Sequence, residues 1–145
     1  MTNWFECKVK HEKTMENGLT KNVKESYIVD ALTCSEAEAR IIEYMTPYIS
    51  GEFEVSDIKT TNYTEIFFND NENADMWFKC KLSFITLDER TGTEKRTNSY
   101  VLVQASDIRN AIKYVDDQMK GTISDYRIAS IQETSVMDVV RWELK

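Results

Sequence analysis

Residues 4–10 alternate, with Phe5, Cys7 and Val9 apolar against Glu6, Lys8 and Lys10, and residues 77–83 do the same, with Phe78, Cys80 and Leu82 against Lys79, Lys81 and Ser83. A period of two predicts a half-buried strand in each place. Asn17-Gly18 and Thr91-Gly92 then offer turns able to reach left-handed backbone, and VKESYIVDA (23–31) reads as the returning strand of a first hairpin. After it the period changes. Thr33 followed by Glu36 is a capping box, and Ala37, Ile41, Met45 and Tyr48 or Ile49 form an apolar stripe, predicting a helix from Ser35 to Ile49 with Pro47 near its end. A second helix is predicted from Asp107 to Lys120, capped by Ser106 or Asp107, with Ile108, Ala111, Ile112, Val115 and Met119 inward and Gly121 as its stop. FEVSDIKTTNYTEIFF (53–68) and YRIASIQETSVMDVV (126–140) close the two series as strands.

The two series superimpose. An offset of 73 pairs Trp4 with Trp77, Phe5 with Phe78, Cys7 with Cys80 and Lys8 with Lys81, so that W-F-x-C-K is written twice. An offset of 74 pairs Val29 with Val103, Ala37 with Ala111, Ile41 with Val115 and Met45 with Met119, and 73 returns in the last segment. The expectation is an α+β fold built by internal duplication of a strand-strand-helix-strand unit. It has about six mainly antiparallel strands and two helices, with pseudo-two-fold symmetry, because one three-stranded sheet and one helix leave much of a small core open. Residues 1–145 are expected to form a single domain of two repeats, 3–68 and 77–140, joined by a linker over 69–76. Whether the strands make one sheet or two is open at this level.

A chain of 145 residues with 41% hydrophobic and 11% aromatic residues has the size and the apolar content of one folded domain. Its 18 Lys plus Arg against 25 Asp plus Glu leave a net charge of −7, which disfavours a long nucleic-acid duplex, whose neutralisation needs many clustered cations. The odd count of three cysteines, Cys7, Cys34 and Cys80, and an amino terminus without an apolar leader point to reduced thiols in a cytoplasm. No apolar run approaches the roughly 18 residues of a membrane span.

Candidate chemistry is sparse. His11 is the one histidine, and no C-x-x-C or H-x-x-x-H pair exists to seed a zinc site. DNENAD (70–75) lacks the glycine and terminal glutamate of a calcium loop. No G-x-S-x-G elbow is present, and the four glycines are too scattered for a phosphate-binding loop. Cys7 and Cys80 read as small buried hydrophobes. The expectation is a protein without catalytic residues, metal or cofactor.

The strand face opposite the core is more informative. If Phe5, Cys7 and Val9 point inward, then Trp4, Lys8 and Lys10 point the other way, as do Trp77, Lys79 and Lys81, and Tyr100 joins them if Val101, Val103 and Ala105 are inward. Rings stack on bases and lysines neutralise phosphates, so these seven residues are the candidate ligand site. The competing reading has the two tryptophans cover the sheet from outside or pack in a homodimer interface, with lysines rimming them.

NWFECKVKHEKTMENG, SEAEARIIEYMTPYISGEFEVSDIK, EIFF, KGTISDY and IASIQET, spread over nearly the whole chain, resemble a family of small proteins of unknown function from Bacteroides-type bacteria and their phages. The resemblance implies a bacterial cytoplasmic host and carries no catalytic or binding residues with it. The function expected is non-enzymatic binding of a small anionic nucleotide-type ligand, as in a phage protein that sequesters a cyclic dinucleotide defence signal. The alternatives are a single-stranded DNA or RNA binder and a homo-oligomeric interaction module. The expected partners are thus that ligand and a second copy of the chain, with nucleic acid as the alternative and no membrane.

Overall fold

A computed structural model describes residues 3–122 and 125–142. Residues 123 and 124, within the KGTISDY motif, lie outside the described residues. The element order is β1 (Asn3–Thr14), β2 (Thr20–Ala31), α1 (Cys34–Met45), β3 (Phe53–Thr60), β4 (Tyr63–Phe67), β5 (Met76–Leu87), β6 (Glu94–Ala105), α2 (Ile108–Gln118), β7 (Asp125–Glu133) and β8 (Val136–Val140). The protein is α+β, with eight strands rather than six, in two four-stranded sheets ordered β3-β1-β2-β8 and β4-β6-β5-β7. The extra strands arise where 53–68 and 126–140, each read as one strand, break at Thr61-Asn62 and Thr134-Ser135.

The chain divides into two compact units, 1–61 with 135–145, and 62–134. This division does not follow the linker. β4 continues from β3 in sequence but runs parallel to β6, with Tyr63 opposite Tyr100, and β8 continues from β7 but runs parallel to β2, with Ser26 opposite Val136. The segment 69–75 instead lies wholly within the second unit, where Asn71 N–H donates to Asn69 Oδ1 at 3.0 Å and Asn73 N–H to Asn71 Oδ1 at 2.9 Å. These local side-chain bonds let an asparagine-rich stretch turn without leaving its backbone donors unmet.

The first unit is built on the β1–β2 hairpin, paired from Asn3↔Ala31 to Thr14↔Thr20. Its turn uses Gly18 at φ +84°, a left-handed conformation that side chains with a Cβ resist. β3 adds antiparallel to β1 with a bulge at Ser56, where Lys8 faces Asp57 and Val9 faces Val55. Phe5, Cys7, Val9, Tyr27 and Val29 on the sheet pack against Ala37, Ile41 and Met45 of α1. The helix begins where Thr33 Oγ1 accepts the Glu36 N–H at 3.1 Å. It ends four residues earlier than the stripe suggested, because Pro47 has no N–H to continue the ladder. Tyr48, 72% exposed, is outside the core.

The second unit has the same local order: the β5–β6 hairpin, α2, then β7 on β5 with a bulge at Ala129. Phe78, Cys80, Leu82, Val101 and Val103 pack against Ala111 and Val115. Asp107 caps α2 by accepting the Asn110 N–H at 2.8 Å. Ile108 and Ile112, expected inward, are 45% and 38% exposed. At 100° per residue, Ala111 and Val115 occupy the centre of the buried face and those two isoleucines its flank. Among the described residues no helix is long and apolar enough to cross a membrane.

Candidate functional site

The positions nominated on the two first strands behave differently in the two units. β1 places Trp4, Lys8 and Lys10 on the face opposite Phe5, Cys7 and Val9, as alternation requires. Trp4 and Lys8 are half-buried and Lys10 is exposed. Each of the four rows across this face carries a carboxylate: Trp4 faces Asp30, Glu6 faces Lys59, Lys8 faces Asp57, and Lys10 faces Glu54 on one side and Lys24 on the other. Glu6 is fully engaged, accepting the Ser26 hydroxyl at 2.8 Å and pairing with Lys59 at 3.3 Å. Carboxylates thus share the rows of these lysines, although among the described residues Glu6 is ion-paired only with Lys59, and Lys8 and Lys10 have no ion-pair partner.

In the second unit Trp77 is only 2% exposed, so it presents no open ring face, contrary to its expected place on a platform. It stands edge-on to Phe68 at 5.6 Å between centroids. Its carbonyl accepts the Thr134 N–H at 3.0 Å and the Thr134 hydroxyl at 2.8 Å. Trp4 has the matching bonds from Thr61, at 2.9 and 2.8 Å, so the main chain at both tryptophans is clamped where the closing strand ends.

Beyond Trp77 the same face carries a cation cluster. Tyr63, Tyr100, Lys81 and Ser130 make one row across β4, β6, β5 and β7. Leu102, Lys79 and Gln132 make the next. Tyr100 therefore shares the face of Trp77, Lys79 and Lys81, and the inward burial of Val101, Val103 and Ala105 fixes it there. Lys79 Nζ lies 4.9 Å from the Tyr100 ring centroid and 5.9 Å from that of Tyr63, within cation–π range of both. At the margin, Thr64 Oγ1 and Ser99 Oγ are 2.7 Å apart. The rows through Trp77, Lys79, Lys81 and Ser83 contain no carboxylate. Lys79 and Lys81, both half-buried, have no ion-pair partner among the described residues.

Of the seven nominated residues, then, the structure gathers Lys79, Lys81 and Tyr100, and adds Tyr63. Tyr63 escapes a sequence reading because its row-mates come from a strand distant in sequence, and the residue at offset 73 from it is Val136.

A groove of about 840 Å³ in the first unit is lined by Lys10, His11, Asn22 and Phe53 and by three carboxylates, Glu12, Glu52 and Glu54, a balance unfavourable to an anion. His11 at its edge is already engaged: Nε2 is 2.7 Å from Glu25 Oε1 and Nδ1 is 3.2 Å from the Glu12 carbonyl oxygen. Deeper in that unit, burial and then Glu25 push the Tyr27 phenol up to about 12, and burial with a 2.7 Å bond to Asp138 raises Tyr44 further. Both phenols stay protonated donors in the physiological range, as packed tyrosines do. No three His, Cys, Asp or Glu side chains among the described residues are grouped to hold a metal ion.

Residues 3–142 match the family model described as a domain of unknown function, DUF4494, and the chain belongs to that family. No curated protein matches it.

Proposed function

We propose that this member of the DUF4494 family is a non-enzymatic binding protein for a small anionic, nucleotide-type ligand, seated on the second unit's sheet face at Tyr63, Lys79, Lys81 and Tyr100. One observation carries the reading: in a chain of net charge −7, two half-buried lysines stand among four successive rows, through Trp77 to Ser83, that hold no carboxylate, and one of the lysines lies between two tyrosine rings. The next row pairs Ile85 with Asp125. Half-burying an ammonium without a counter-charge costs free energy that an incoming anion recovers. The tyrosines supply flat, rigid faces for a base.

The contrast with the first unit narrows the ligand. Glu6 stands where Lys79 does and Ser26 where Tyr100 does, so the grip is not repeated, and a ligand held by one unit is favoured over a two-fold one spanning both. The same reading takes the two units as copies of one ancestral segment, supported by their shared element order, the offsets of 73 and 74, and the equivalent threonine clamps on Trp4 and Trp77.

Calorimetric titration of the full chain with nucleoside monophosphates, cyclic dinucleotides and short oligonucleotides tests this. The expected result is saturable binding of a compact nucleotide that Lys79→Met and Tyr100→Leu each weaken about tenfold or more, the weight of one charge-assisted contact or one stacked base. Binding of oligonucleotides alone, with a steep salt dependence, would instead favour a strand binder. No binding by any compact nucleotide overturns the proposal.

A further inference from the structure

We propose that Arg127, with Lys81 and Ser130, forms the phosphate end of this site, so that the ligand carries a phosphate one strand-row away from its base. The inference rests on the nucleotide reading above and adds a residue and a polarity to it.

The bulge on β7 is what brings Arg127 to this face. Toward the Trp77 end, β7 pairs with β5 as Lys79↔Gln132, Cys80↔Ile131 and Lys81↔Ser130. Past Ala129 the register moves by one, giving Leu82↔Ile128 and Ser83↔Arg127. Without the extra residue Ile128 would fall opposite Ser83, and Arg127 would face the helix. With it, Ile128 packs into the core cluster and Arg127 stands exposed on the Lys79–Lys81 side. A bulge that re-aims one side chain is a recurrent device beside binding sites.

The first unit has the same bulge at Ser56 with opposite chemistry. There Lys8 faces Asp57 and Lys10 faces Glu54. In the second unit Lys81 faces Ser130 and Ser83 faces Arg127. At offset 73, then, Glu54 is replaced by Arg127 and Asp57 by Ser130: one position goes from acid to base and the other from acid to hydroxyl. Arg127 has no ion-pair partner among the described residues. A guanidinium fork, an ammonium and a hydroxyl on neighbouring strands suit a phosphate, which Arg holds through two parallel hydrogen bonds.

The geometry also orders the ligand. The Tyr63–Tyr100–Lys81 row and the Ser83–Arg127 row are two residues apart along β5, a step of about 7 Å at strand rise. β6 and β7 lie about 10 Å apart across β5, so the long Arg127 side chain has to span part of the diagonal. A base over the tyrosines thus leaves its phosphate reaching past Lys81 toward β7. A 5′-phosphorylated mononucleotide has that shape, whereas a nucleoside has nothing to place there.

The test is calorimetric titration of the full chain and its Arg127→Gln, Arg127→Lys and Tyr100→Leu variants with adenosine, AMP, ADP and inorganic pyrophosphate. Arg127→Gln is expected to weaken AMP and ADP about tenfold and to lower the salt slope by about one, leaving adenosine unchanged. Arg127→Lys restores the salt slope but only part of the affinity, because the fork is lost. Tyr100→Leu weakens adenosine and the nucleotides alike. If AMP and ADP bind and Arg127→Gln leaves them unchanged, the phosphate end is elsewhere and the nucleotide reading stands. If neither binds to the parent chain, the phosphate end falls, and the nucleotide reading falls with it when the other compact nucleotides also fail to bind. Arg127 is exposed on an edge strand, so its variants are expected to retain the parent melting temperature.

Discussion

Cys7 and Cys80 are both completely buried, while Cys34 is exposed at the start of α1. Burial pushes the Cys7 thiol up to about 12 and the Cys80 thiol up to about 11, from an ordinary value near 9. The folded state therefore holds protons that the unfolded chain releases above pH 9. In that window the unfolded state binds fewer protons, so stability falls as pH rises from about 9 to 11 or 12. Urea unfolding at pH 8, 9.5 and 10.5 should show a declining midpoint, with the decline reduced in Cys7→Ala and Cys80→Ala after allowing for their cavity cost. A thiol reagent at pH 8 should modify one cysteine in the native chain and three after denaturation. Rapid native reaction of two or more would mean that these strand faces open readily. Trp77 belongs to the same scale: 2% exposed and edge-on to Phe68, it is a packing residue, and Trp77→Ala should cost about 3–5 kcal/mol in urea unfolding.

Among elements, the helices were the most legible part of the sequence, because their caps are local. Thr33 and Asp107, 74 residues apart, each precede a helix, and each accepts the N–H three residues on. Glu36 and Asn110 reach back to the N–H groups of Leu32 and Ser106, one residue before the cap, at 3.4 and 3.1 Å. Thr33→Ala and Asp107→Ala should each lower stability by about 1 kcal/mol, and Thr33→Ser should lose little. Equal stability of the alanine and serine variants at residue 33 would mean that the cap contributes nothing. The strands were legible only in part. Alternation names the faces of a strand but not its neighbours, so Phe5, Cys7, Val9 and their counterparts were assigned to the core while the parallel pairing of β4 with β6 and of β8 with β2 left no trace in the pattern. Alternation also cannot tell whether the second face is covered: Trp4 and Trp77 occupy equivalent positions, one half-buried and one buried. The candidate site divides along the same line. Lys79 and Lys81 were readable from β5 alone, whereas Tyr100 was conditional on the inward burial of Val101, Val103 and Ala105. Tyr63 needed the strand pairing and Arg127 needed the bulge, although the contrast of Glu54 with Arg127 at offset 73 was visible in the sequence.

For the molecule as a whole, the route of the chain sets an order of assembly. The second unit is continuous, 62–134, whereas the first needs both 1–61 and the segment after 134. The parallel pairs measure the difference. Tyr63 and Tyr100 close a loop of about 37 residues, and Ser26 and Val136 one of about 110. By the logarithmic dependence of closure entropy on length, the longer loop costs about 1 kcal/mol more, which favours late docking of β8. β8 nevertheless matters to its unit. Val140 joins the core with Phe5 and Ile41, and the backbone N–H of Trp142 is held by the buried Asp30 carboxylate at 2.7 Å. That carboxylate lies close to Arg40, whose guanidinium donates to the Asp30 carbonyl at 2.6 Å and pairs with Glu36 at 2.7 Å. Pulse-labelled hydrogen exchange during refolding should thus find the amides of β5 and β6 protected before those that β2 and β8 exchange. Asp30→Asn should loosen the Trp142 end and raise exchange in β8 and β2 while leaving β5 and β6 unaffected. Simultaneous protection of all four strands, with one rate constant, would show that the two units form together and that the long closure does not govern the order.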